Sequence, residues 1–133
     1  MKDNAGFTLI ELILVTIIIG ILAGMVVINV AGRAEEARVR RAHGDIATYQ
    51  NAIDLYALDH NDKYPKSLNE LMGGKRDYVR KLTKDPWGND YVVVVPGKYR
   101  KNSYDLYSRG PDGIAGNGDD ITSWSDQAPD AAS

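Results

Sequence analysis

Carboxylates are the side chains whose types and spacing suggest chemistry in this chain. Residues 109–120, Arg-Gly-Pro-Asp-Gly-Ile-Ala-Gly-Asn-Gly-Asp-Asp, place Asp112, Asp119 and Asp120 among four glycines. Three carboxylates held close together repel unless a cation neutralises them, and glycines let a chain fold back tightly. Calcium takes about 6–8 oxygens, backbone carbonyls included, at about 2.3–2.6 Å, so such a loop carries suitable donors. The spacing is not that of an EF-hand, and composition alone favours an ion-free surface loop rich in Asp, Gly and Asn. The other carboxylate of interest is Glu11, the single charge between Phe7 and Val30. A carboxylate inside hydrocarbon costs roughly 3 kcal/mol. No basic residue shares its apolar stretch, so a positive partner would come from another chain.

Other chemistries have less to work with. The chain has no cysteine, which excludes disulfides, thiolate metal sites and cysteine nucleophiles. His43 and His60 are far apart in sequence, and His60 beside Asp59 and Asp62 reads as a solvated helix end. No Ser/His/Asp set or glutamate pair stands at a catalytic spacing, so no enzyme is expected. A net charge of −2 gives no basic footprint for nucleic acid.

The elements that position these groups divide the chain in two. Its 133 residues are 44% apolar and 26% charged, and the mean hydropathy is −0.33. The run from Phe7 to Val30 is nonetheless almost wholly apolar, so the remainder is distinctly polar. As a helix those residues would extend about 36 Å at about 1.5 Å each, enough to cross a hydrocarbon core of about 30 Å. The leader before it, Met1 to Gly6, is short. The apolar run exceeds the roughly 7–15 residues of a secretory signal core. A cut after Gly6 would give Phe7 an α-ammonium, with an ordinary pKa of about 8, able to pair with Glu11 of a neighbouring chain. Gly20-Ile21-Leu22-Ala23-Gly24 is a G-x-x-x-G pattern that permits close helix approach. Arg33, Arg38, Arg40 and Arg41 follow the span. By charge counting alone they would keep the C-terminal side inside the cell.

Beyond the span, Val39, Ala42, Ile46, Tyr49, Ile53 and Tyr56 recur three or four residues apart, an apolar stripe at helical period. The spacing predicts one helix from about Thr8 to about Leu58, ended by Asp59-His60-Asn61-Asp62 and Pro65. Ser67-Leu68-Asn69-Glu70 reads as a capping box opening a short helix, closed by Gly73-Gly74. Asp85-Pro86-Trp87-Gly88 reads as a turn. The β-prone run Tyr91–Val95 and the alternating segment Ser103–Ser108 predict two antiparallel strands packed on the long helix. Trp87 and the tyrosines read as core and contact residues. The fold class is α+β: a long N-terminal helix against a small antiparallel sheet.

Gly6-Phe7-Thr8-Leu9-Ile10-Glu11-Leu12 resembles the processing site of type IV pilins and type II secretion pseudopilins. Asp85-Pro86-Trp87-Gly88-Asn89-Asp90-Tyr91, Tyr104–Gly113 and Asp119-Asp120-Ile121 are similar to the major pseudopilin (core protein G) family of type II secretion. Together these motifs cover most of the chain from Gly6 to Trp124. The resemblance implies a type IV pilin-like fold. It also implies cleavage between Gly6 and Phe7 by a prepilin peptidase, N-methylation of Phe7, and assembly through Phe7 and Glu11. A calcium ion would be held by Asp112, Asp119 and Asp120 with backbone carbonyls of Arg109 and Ile114. Implied divisions are a leader (1–6), a membrane and filament-core helix (7–30), a periplasmic domain (31–125) and a flexible tail (126–133). The subunit would sit once across the inner membrane, in lipid before assembly. It would then form a homopolymer with minor pseudopilins on an inner-membrane assembly platform, and its growth would drive folded proteins across the outer membrane. The family also outweighs charge counting in placing the C-terminal domain outside. Three departures stand out: Ile28-Asn29-Val30 where a proline is frequent, Arg109 where an apolar residue is usual, and a shorter, less typical segment between Pro65 and Asp85. The alternatives are a type IV pilin of a surface fibre and a membrane-anchored binding module.

Overall fold

The computed structural model describes residues 5–124, with residues 28 and 29 described at the backbone. Most of the leader and the tail of residues 126–133 lie outside the described residues. One helix, α1, runs Leu9–Asp59, one residue from the predicted bounds at each end. The chain divides into two compact units, the first ending at Ala37 and the second starting at Arg38.

The first unit carries the apolar half of α1. Its large apolar side chains between Leu9 and Val30 are 45–77% exposed where described. An 18-residue window here reaches a mean hydropathy of 2.8 with none of it buried. A surface of this kind needs a non-aqueous neighbour, either lipid or other helices. The one hydroxyl in this stretch is hidden by its own backbone: Thr16 Oγ1 donates to the carbonyls of Leu12 and Ile13 at 3.1 and 2.8 Å, which lowers the cost of placing it in lipid. Apart from the helix's own adjacent backbone, no described residue lies within 4 Å of where a Cβ on Gly20 or Gly24 would stand.

The second unit buries the predicted stripe. Ala42, Ile46, Tyr49, Ala52 and Ile53 of α1 form one core with Leu71, Val79, Tyr91, Tyr104, Leu106 and Ile121, while Val39 and Tyr56 pack at its rim. Each fully buried Leu or Ile contributes on the order of 1.5–3 kcal/mol. Three antiparallel strands lie in the order β1-β2-β3: β1 (Val92–Val94), β2 (Asp105–Ser108) and β3 (Ile121–Thr122). Val93 faces Leu106, and Ser108 faces Ile121. The predicted pair is thus β1 and β2, shorter than expected. β3 was not foreseen, because two residues show no periodicity.

Two further expectations are corrected. Ser103–Ser108 does not alternate, since Asp105, Leu106 and Ser108 are all buried. The reason is polar: buried Asp105 accepts the N–H groups of Tyr99 and Arg100 at 2.8 and 3.1 Å, which offsets its burial. The β1–β2 connection closes on this carboxylate so tightly that a Cβ at Gly97 would stand 2.6 Å from Asp105 Oδ1. The capping box at Ser67 also fails to close. Residues Leu68–Leu71 form a single 3-10 turn capped by Ser67, whose side chain accepts from the N–H of Asn69. Glu70 instead accepts from the Tyr56 hydroxyl at 3.2 Å.

Two buried phenols tie α1 to the sheet region. Tyr91 donates to Asp45 at 2.8 Å and Tyr104 to Asp54 at 3.2 Å. Burial first, and the facing carboxylates next, push both phenols well above the ordinary value. The unfolded chain ionises them near pH 10, so the folded state binds more protons above that pH. Their contribution is therefore intact below about pH 10 and lost as pH rises further. Melting between pH 8 and pH 11 should show this loss, and Tyr91→Phe with Tyr104→Phe should flatten it. An unchanged slope in the double variant would contradict the assignment.

Candidate processing and cation sites

Gly6 and Phe7 precede α1 in open chain, and Phe7 is 91% exposed. The peptide between them therefore lies outside the helix and is accessible. Two residues on, Thr8 caps the helix. Thr8 N–H donates to Glu11 Oε2 at 2.9 Å, and Glu11 N–H donates to Thr8 Oγ1 at 3.3 Å. This reciprocal pair is a capping box. Glu11 thus has a partner in its own chain, a backbone donor and not a cation. The signal was present as Thr-x-x-Glu. The arrangement also holds the carboxylate at the positive end of the helix dipole, on the side where cleavage would create an amine. A carboxylate has capacity for further donors.

The acidic loop joins antiparallel neighbours, β2 and β3, so both its ends are pinned. At its base the chain passes over itself: Gly110 has φ +66, and a Cβ there would collide with the Asp119 carbonyl oxygen. Asp112 Oδ1 accepts from Ile114 N–H at 2.8 Å, and its Oδ2 accepts from the Asn117 side chain. Asp119 Oδ2 is 3.4 Å from Asp112 N–H, and Asp120 Oδ2 accepts from Gly116 N–H at 2.7 Å. Arg109 and Ile114 are exposed and enter the calcium expectation through their carbonyls alone.

The loop therefore gathers Asp112 and Asp119 loosely and ties each carboxylate to loop donors. Among the described residues, no three His, Cys, Asp or Glu stand together as a metal cluster. The chemistry still fits a hard cation, because every donor is an oxygen. Asp120 Oδ1, moreover, is buried with no hydrogen-bond partner. A buried carboxylate oxygen without a partner is costly, and a cation would remove that cost. Calcium here would bind beside, or in place of, the loop N–H groups that Asp112, Asp119 and Asp120 now accept.

The histidines do not join either site. His60 stacks on Tyr56 with ring centroids 3.9 Å apart, its Nδ1 2.8 Å from the Tyr56 carbonyl oxygen. It closes the C-terminal turn of α1.

A family model described as "Type II secretion system (T2SS), protein G" matches residues 29–124. The chain belongs to that family. A second model, "Prokaryotic N-terminal methylation motif", matches residues 1–27. Type II secretion system core protein G of Escherichia coli (strain K12) is 44% identical over 133 residues, covering 90% of each chain. The protein of that name from Aeromonas hydrophila is 41% identical, covering 92% of this chain and 94% of its own. The crystal structure of the major pseudopilin from the type 2 secretion system of enterohaemorrhagic Escherichia coli matches with a TM-score of 0.62 at 33% identity. It covers 72% of this chain and 94% of that one. Fold and family together make the chain a pseudopilin, a structural subunit of type II secretion.

Proposed function

We propose that the chain is a membrane-held precursor that a prepilin peptidase cuts between Gly6 and Phe7 and methylates at Phe7. The mature chain, beginning at Phe7, waits in the inner membrane with its second unit in the periplasm. It then polymerises with copies of itself, under minor pseudopilins and on an inner-membrane assembly platform. Growth of that filament pushes folded proteins across the outer membrane. The observation that carries the reading is the apolar half of α1: its described large apolar side chains are exposed, and in its first turn Glu11 accepts from the N–H of Thr8, the residue after Phe7. Lipid covers such a helix before assembly and neighbouring helices cover it afterwards. Glu11 of one subunit then meets the Phe7 amine of the next.

Calcium belongs to the same proposal. Asp112, Asp119 and Asp120, with the carbonyls of Arg109 and Ile114, would hold it. The ion would supply positive charge that keeps the three carboxylates together and stiffens the β2–β3 connection.

Processing has a direct test. When the chain is produced with a prepilin peptidase, its intact mass should fall by residues 1–6 and rise by one methyl group, with Phe7 as the first residue. An uncut leader in the presence of active peptidase would contradict the proposal.

A further inference from the structure

The first turn of the acidic loop is anchored to a distant turn by buried polar groups that are not among the proposed ligands. Asp85 and Ser108 are 4% and 0% exposed. Ser108 Oγ donates to Asp85 Oδ2 at 2.6 Å and accepts from Gly110 N–H at 3.2 Å. The other oxygen, Asp85 Oδ1, accepts the N–H groups of Trp87 and Asn89 at 3.1 and 2.8 Å, while Asp85 N–H donates to the Asn89 carbonyl at 2.8 Å. The turn from Asp85 to Asn89 is thus folded around the same carboxylate that holds Ser108. Asn89 reaches the loop a second time: a Cβ on Gly113, at φ +72, would stand 3.3 Å from Asn89 Nδ2. The turn therefore holds the loop at Gly110 through Ser108 and packs against it at Gly113 through the Asn89 amide.

We propose that Asp85, Ser108 and Asn89 are positioning residues for the cation loop, holding the Gly110–Gly113 turn so that Asp112 is presented to calcium. The proposal rests on the calcium reading above. Its chemistry is that of an outer shell, in which groups that never touch the ion hold its ligands in place. Ser108 suits the task because one hydroxyl accepts and donates at once. Alanine at position 108 removes both bonds, leaving Gly110 N–H and an Asp85 oxygen without partners.

The test uses the full chain in detergent micelles, titrated with calcium chloride by calorimetry and melted separately in chelator. Ser108→Ala is expected to weaken calcium binding about 10–100-fold, the usual cost of losing an outer-shell partner. Asn89→Ala is expected to weaken it in the same direction. Neither should alter the far-UV spectrum in chelator. Should Ser108→Ala fail to fold, Asn89→Ala is read by the same criterion. Wild-type calcium affinity in the folded variants overturns the positioning role and leaves the calcium site standing, even if both variants melt lower. Wild-type chain that binds no calcium at millimolar concentration overturns the calcium reading and the positioning role together.

Discussion

Glu11→Ala is expected to enter the membrane and lose its leader normally, yet to build filaments at least about tenfold less well. The two halves of that result have opposite physical signs. Removing a carboxylate from an apolar helix relieves roughly 3 kcal/mol of insertion cost, so insertion should not suffer. Removing it from a packed bundle leaves the neighbour's Phe7 ammonium buried without a counter-charge, at a cost of about 3–5 kcal/mol. The capping box adds a second role that the alanine variant also destroys, because Glu11 accepts from Thr8 N–H. Glu11→Gln separates the two roles, since an amide oxygen can still cap but brings no charge. It should assemble as poorly as Glu11→Ala. Wild-type filament yield from Glu11→Gln would show that assembly needs the cap and not the ion pair.

Calcium is expected to produce the other large effect. A ligand that binds only the folded state adds about 2.7 kcal/mol at 100 times its dissociation constant. For a domain of this size that is a rise of about 10–20 °C in melting temperature, at about 4–8 °C per kcal/mol. Asp119→Ala should abolish the rise. It should change the melt in chelator little, since the Asp119 carboxylate accepts one long bond of 3.4 Å and sits among like charges. A rise that survives Asp119→Ala would place the ion elsewhere.

The parts of this molecule that can be read from sequence are those whose cause is local or periodic. The stripe from Val39 to Tyr56 gave α1 and its buried face, because each residue repeats the same demand for cover. Val92–Val94 and Leu106 gave the two longer strands for the same reason. What escaped was settled between distant segments. β3 exists because Ile121 fills the place opposite Ser108, and two residues carry no pattern of their own. The Asp85–Ser108 bond joins residues 23 apart in sequence, and neither residue type announces it. The capping boxes are the sharpest case. Thr8–Glu11 and Ser67–Glu70 satisfy the same rule, yet only the first closes. At Thr8 the glutamate accepts from the capping residue's own N–H, whereas at Ser67 the Tyr56 hydroxyl takes the glutamate and the helix ends after one turn. At the acidic loop, residue types indicated a hard cation. The loop N–H groups that now occupy Asp112 and Asp120 were invisible until the chain was folded.

In the proposed function, the exposed apolar helix is covered by copies of itself. The measurement that tests it most directly is electron microscopy of sheared material from cells. Those cells should hold the chain, a prepilin peptidase and a type II secretion assembly platform. Thin filaments built of the mature chain are the predicted result. Mature chain that stays monomeric in the membrane with every component present would contradict the account and favour a tethered binding module. Surface fibres tied to motility would instead favour a type IV pilin.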